Sequence, residues 1–575
     1  MTLLLAIIPV FGISRPSDVA LKFDGLSVFR ESIPVYCMST DVKRPRLMPF
    51  RRAWKFPREY AQRVPDDLRR KTPYGPLDLF DNPGLTVDSD YARSGKPFFV
   101  YNHVARPPFF MAGDGCPLAD RSAYAAWKRS HPGFLAVNTL WELDSDSFFF
   151  DKFYDNMGDA SITAELQRVY ARPADHGKTN VVQWAHELFR RARDFNFGET
   201  AIWPMCSNDM GFEHIFGACG AQGLWYEATS QEIGAWNCAA AFVRGAARQR
   251  GLEFGWYAAH YYQGWTRKGD ARAGDNRWCA DRALKLEPTP HRGESRSLHR
   301  RQILFGWLSG AKYLQTEWWT WLYSDEKDGK AVPSDFAHDL EEIYRLSKTT
   351  DAGEPYTPLA VLVPLAEPSS SWYDNKRLME PDVQRAIFDT LVPIRGDDGK
   401  SWPDRRKGEQ GCLYNSEFAG FFDTLCPDAG QPSPDFARAL ARYRYALVAG
   451  DAFDKRKLDV AALRQFKAGG GILLRYPSPT CDTPGKLRDL LRTVQDETMP
   501  VSVAGDVQWG VNRTKGGWLV YLINNRGVIK FVDEPEDLDA TRTVHVTVTE
   551  KATGRTFVRD IAPGDFALVS IRSEK

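Results

Sequence analysis

The feature that most constrains this chain is an alternation of two periodicities between about residues 30 and 350. Short runs rich in β-branched and aromatic residues, ending in polar ones, recur at 33–39, 97–103, 134–140, 200–205, 223–229, 252–260 and 311–317. Helical spacing separates several of them. In 229–250 the residues Ile233, Trp236, Ala240, Val243 and Ala247 fall on one helical face, with Thr229 and Glu232 as a capping box and Gly251 as the stop. Val181, Trp184, Ala185, Leu188, Ala192 and Phe195 form a second stripe, and 297–309 a third helix. Parallel strands need crossover helices, so this order reads as a (β/α)₈ TIM barrel over residues 16–352.

The pattern then changes. Apolar strands at 357–364 and 443–449, a helix at 454–467 closed by Gly469, Gly470 and Gly471, and a strand at 472–475 predict a doubly wound, Rossmann-like α/β domain over 353–500. The glycines follow the helix where a phosphate loop would precede one, so no nucleotide or phosphate loop is expected there. From 501 to 575 the chain reads as a small β-sandwich: a strand at 518–523, the turn Asn524-Asn525-Arg526-Gly527, a strand at 528–532, the alternating Val544, Val546, Val548, and a strand at 566–571.

Composition excludes several classes. With 75 Lys+Arg against 74 Asp+Glu the net charge is +1, and there is no basic tract of the kind nucleic-acid binding requires. Nine cysteines without a CxxC pair argue against both a disulfide scaffold and a zinc site, and no HExxH, GxSxG or helix-opening GxGxxG occurs. No metal or cofactor is expected. Residues 3–11 form an apolar run that reads either as the remnant of a secretion signal, within residues 1–15, or as a first barrel strand. The first reading gives a secreted or periplasmic protein. No later run is long enough to span a bilayer.

In a barrel of this kind reacting groups sit at the C-terminal ends of the strands. Three strand ends set a carboxylate among aromatic rings: Trp141-Glu142, Trp225-Tyr226-Glu227 and Glu317-Trp318-Trp319. Cleavage of an acetal needs one carboxyl group to protonate the leaving oxygen and another to meet the oxocarbenium charge, and indole rings offer sugars a stacking surface. A lone glutamate at a strand end is more often a solvated or ion-paired loop residue, and Glu142, followed by Asp144 and Asp146, fits that reading best. Glu227 is therefore the expected acid/base and Glu317 the expected nucleophile of a glycoside hydrolase, in a retaining arrangement. Trp141, Glu142, Asn208, Asp209, Trp225, Tyr226, His260, Tyr262, Trp318 and Trp319 are the expected substrate-binding residues. Because neighbouring strand residues point to opposite sides, at most one of Tyr226 and Glu227 should enter the lumen. Two alternatives stay open. One is a sialidase-like glycosidase with Tyr226 or Tyr262 as nucleophile, and the other a carbohydrate-binding barrel without chemistry.

The order of parts, with Tyr445-Ala446-Leu447-Val448-Ala449-Gly450-Asp451 leading into Leu463 through Gly471, resembles the family 42 β-galactosidases and their clan A relatives. Where those families carry an Asn-Glu pair, this sequence has Trp141-Glu142 and Tyr226-Glu227, as a distant relative would. The resemblance implies a carbohydrate substrate and a middle domain that packs on the barrel and mediates a homo-oligomer.

Overall fold

The computed structural model describes residues 27–30, 98–102, 121–139, 201, 203–206, 211–229, 236–259, 295–316, 323–325, 331–333, 335–363, 381–392, 415–427, 434–449, 460–530 and 535–572. The architecture is mixed α/β. The first part runs β1 (Ser27–Arg30), β2 (Phe98–Asn102), α1 (Arg121–Ser130), β3 (Phe134–Thr139), β4 (Met205–Cys206), α2 (Phe212–Ala218), β5 (Gly223–Thr229), α3 (Trp236–Arg250), β6 (Glu253–Ala259), α4 (Arg296–Leu308) and β7 (Tyr313–Thr316). A hairpin of β8 (Tyr323–Asp325) and β9 (Ala331–Pro333) precedes α5 (Asp335–Thr349). Five strands form one parallel sheet in the order β1-β7-β6-β5-β4, so β7 pairs with both β6 and β1, while β2 and β3 pair in parallel with each other. The expected strand at 33–39 and the helical stripe from Val181 to Phe195 lie outside the described residues.

The alternation along β5 is realised in its packing. Leu224, Tyr226 and Ala228 join the core that also holds Ala239, Ala240 and Val243 of α3. Trp225 and Glu227 therefore face the other side. Thr229 is the last residue of β5, and α3 is described from Trp236 onward, so Glu232 of the expected capping box lies outside the described residues.

The next part contains β10 (Glu354–Pro355), β11 (Leu359–Leu362), α6 (Pro381–Leu391), β12 (Phe422–Leu425), α7 (Pro434–Leu440), β13 (Tyr445–Ala449), α8 (Val460–Ala468), β14 (Ile472–Tyr476) and α9 (Pro484–Thr498). Four of these strands make a parallel sheet ordered β12-β11-β13-β14. One of its faces packs Ala360, Leu362, Ala446 and Val448 against Phe436 and Phe466 of α7 and α8. The other joins Leu359, Val361 and Leu447 to Phe388 of α6 and Leu491 of α9. The glycine run ends α8. Gly470 has φ 88, and the N–H groups of Gly470 and Gly471 donate to the carbonyls of Lys467 and Phe466 at 3.0 and 2.9 Å, a Schellman stop.

The last part is antiparallel, with β15 (Val501–Ala504), β16 (Gln508–Thr514), β17 (Gly517–Ile523), β18 (Val528–Ile529), β19 (Asp537–Leu538), β20 (Val544–Glu550), β21 (Thr556–Ile561) and β22 (Phe566–Arg572). Its sheets are β10-β16-β17-β22, β15-β20-β21 and β18-β19. Asn524–Gly527 is not a hairpin turn, because β17 pairs on its two sides with β16 and β22. Asn524 is buried instead, and its Nδ2 donates to the carbonyls of Arg542 and Ile561, each at 3.0 Å.

Helix α3 links all three parts. The sequence suggests one apolar face, but the helix is buried nearly all round, including Asn237, Arg244 and Gln249. Each of those polar residues bonds across a boundary. Asn237 exchanges amide bonds with Gln508 at 2.8 and 2.9 Å, and Gln249 bonds both N–H and carbonyl of Cys426 at 3.1 and 2.8 Å. Arg244 and Arg248 each reach Asp423 at 2.5 Å. Asp423 also accepts from the Thr357 and Tyr443 hydroxyls at 2.8 and 2.7 Å. Burial alone would raise its carboxyl, but the guanidiniums and hydroxyls outweigh that and hold it at about 2.

Candidate functional site

Parallel register aligns the candidate residues along one edge. Glu227 on β5 is the register partner of Tyr257 on β6, which is the partner of Gln315 on β7. One row further, Ala228, Ala258 and Thr316 align in the same way. The described strands end at Cys206, Thr229, Ala259 and Thr316, so their C-terminal ends form a common rim.

Beneath that rim lies an aromatic floor. Trp203, Trp225 and Tyr313 are buried with ring centroids 5.4 to 6.4 Å apart, in tilted and edge-on contacts. Trp225 and Tyr313 sit in one row across β5, β6 and β7, and Gly255 stands between them. Glu227 follows two residues after Trp225 on the same side of β5, and the whole residue is 0% exposed. Tyr257, 1% exposed, is its neighbour on β6. Burial, reinforced by the charge of Glu253, pushes the Tyr313 phenol well above its usual range, so it stays protonated.

Of the residues expected to bind substrate, Trp225 lies in this aromatic floor. Tyr226 occupies the helix-facing core, its ring 5.0 Å from that of Trp256, on the opposite side of β5 from Glu227. That position removes it from the rim. Glu317, Trp141, Glu142, Asn208, Asp209, His260, Tyr262, Trp318 and Trp319 lie outside the described residues. Trp203, Tyr257 and Tyr313 were not among the expected site residues. The signal for the two tyrosines was available, since each is an aromatic within a short apolar strand that precedes a polar residue in sequence.

Among the described residues no group of His, Cys, Asp or Glu is arranged to hold a metal ion, and no helix is long and apolar enough to cross a membrane.

No protein-family model matches the chain, and no curated protein matches it. Among solved structures, the chain is similar to the catalytic module of a family 98 glycoside hydrolase from Streptococcus pneumoniae TIGR4, at 8% identity and a TM-score of 0.43, covering 96% of this chain and 79% of that one. It is similar to a catalytic mutant of a family 42 β-galactosidase from G. stearothermophilus, at 10% identity and a TM-score of 0.43, covering 97% and 95%. An exo-β-1,4-mannosidase from Opitutaceae bacterium strain TAV5 follows at 11% identity and a TM-score of 0.28, covering 83% and 85%.

Proposed function

We propose that this chain is a glycoside hydrolase built on a (β/α)₈ barrel, with Glu227 as acid/base and Glu317 as nucleophile in a retaining mechanism. The observation that carries the reading is the burial of Glu227 near the C-terminal end of a parallel strand, two residues after Trp225, whose ring packs with those of Trp203 and Tyr313. Glu317 follows directly on Thr316, the last residue of β7, two strands from β5. A retaining mechanism requires the two carboxyl groups to stand about 5 to 5.5 Å apart. The acid/base would then protonate the leaving oxygen while the nucleophile attacks the anomeric carbon. Deprotonated, the acid/base next activates the water that releases the sugar.

A tyrosine nucleophile at Tyr226 has no support from the packing, since that ring lies among Trp256 and the helices. The test is a panel of aryl glycosides hydrolysed by the full chain and by a Glu227→Gln, Glu317→Gln double variant. Turnover by the wild type alone supports the reading. Sugar binding without turnover of any aryl glycoside would instead identify a binding barrel.

A further inference from the structure

A second cleft lies at the far end of α3. It has a volume of about 260 Å³, and its walls include Arg248, Glu354, Tyr356, Arg442, Tyr443 and Arg513. Arg248 belongs to the last turn of α3, whereas the strand rim adjoins the helix's beginning. Fifteen helical residues separate the two ends, which at 1.5 Å per residue is about 22 Å. The cleft is therefore distinct from the candidate active site, and it owes nothing to the glycines that end α8.

Its charge is unbalanced. Three guanidiniums, those of Arg248, Arg442 and Arg513, line it against one carboxylate, Glu354. Asp423 is consumed behind the wall by Arg244 and Arg248. Glu354 reaches in from β10, bonded to Arg442 and 3.6 Å from Arg248, while its side chain is 61% exposed. Arg513 lies over the rings of Tyr356 and Trp518, each centroid 5.3 Å away, and no carboxylate pairs with it among the described residues. Glu354 thus shows where an oxyanion fits, and Arg513 supplies a cation that Glu354 does not use.

We propose that this cleft binds a small molecule carrying an oxyanion, a carboxylate or a phosphate, through Arg442 and Arg513, with Glu354 as a tethered competitor. A planar guanidinium presents paired donors that match either group, and the volume suits a ligand about the size of a monosaccharide. The cleft is lined by α3, by β10 and β16, and by residues just before β13, so a bound ligand would join all three parts of the chain.

The test is titration calorimetry on the full chain with inorganic phosphate, glucuronate and glucose at matched ionic strength. Saturable binding of phosphate, of glucuronate or of both, with none of glucose, is expected, and which of the two binds identifies the source of the oxyanion. Arg513→Gln, at an exposed position, should weaken binding at least tenfold, and Arg513→Lys should restore part of it. Glu354→Gln should tighten binding several-fold by freeing Arg442. Absence of binding by both anions, or affinities unchanged in Arg513→Gln and Glu354→Gln, would overturn the proposal.

Discussion

Gly255 and Trp225 are register partners on adjacent parallel strands, and the indole fills the space a side chain at 255 would need: a Cβ there would stand 2.3 Å from the ring. Trp225 has nowhere to retreat, because Trp203 and Tyr313 hold its other sides. Gly255→Ala should therefore cost about 1 to 3 kcal/mol, the usual range for overpacking. The displaced strand carries Glu227 two residues on, so hydrolysis should fall with stability. A denaturant midpoint equal to that of the wild type would show that the ring stack yields freely.

Asp423 provides a sharper test of the junction. Asp423→Asn would leave Arg244, buried at 4% side-chain exposure, without its counter-charge. Removing one partner of a buried pair costs about 3 to 5 kcal/mol. The exposed pair Asp482 and Lys486 is the control, and Asp482→Asn should cost far less. Equal losses in the two variants, measured by guanidinium unfolding, would mean that the junction does not depend on its buried charges.

How much of this was legible beforehand depended on the range of the contacts involved. The alternation of β5 showed in its own seven residues, and the separation of Tyr226 from Glu227 followed from strand geometry alone. The stop at Gly470 was equally local. Helix α3 was not legible in this way, since Asn237, Arg244 and Gln249 look like a solvated face until their partners are known. Those partners lie 271, 179 and 177 residues further along the chain. Asn524 misled for the same reason, because a turn-forming residue was satisfied by distant carbonyls. The candidate site was legible to the extent that strand ends are local, while the meeting of Trp203, Trp225 and Tyr313 required the pairing of β5, β6 and β7.

His214 makes a prediction about acid. Burial first, and then the charge of Arg250, lower its imidazole to about 3, while the Thr424 hydroxyl lies 3.2 Å from its Nε2. An unfolded histidine titrates near ~6.5. Between those values the unfolded chain holds a proton that the native chain refuses, so stability declines as pH falls through that window, by up to ~1.4 kcal/mol per pH unit. The contribution of Asp423 has a lower window. Its folded value is about 2 and its unfolded value ~3.9, so that stabilisation is complete above about pH 4 and lost as pH falls through 2. His214→Gln should therefore flatten the loss of stability between about pH 6.5 and 4 and leave the steeper loss below it. Parallel urea curves for the two proteins across the upper window would remove His214 as the cause.

The two glutamates can be separated by their leaving groups. Glu227→Gln keeps shape and hydrogen-bonding length but removes the dissociable proton, so hydrolysis of a glycoside with a poor leaving group should fall on the order of 10² to 10⁴. An activated aryl glycoside needs little proton donation, and its first step should suffer less. Its second step lacks a base, and added azide, which needs none, should restore turnover by forming the glycosyl azide. Glu317→Gln should abolish turnover of both substrates, because no leaving group replaces a missing nucleophile. Steady-state rates for the two variants on a natural and an activated substrate decide the matter. Equal losses on both substrates for Glu227→Gln, or near-wild-type rates for Glu317→Gln, would reject the assignment and make Glu142 the next carboxylate to replace.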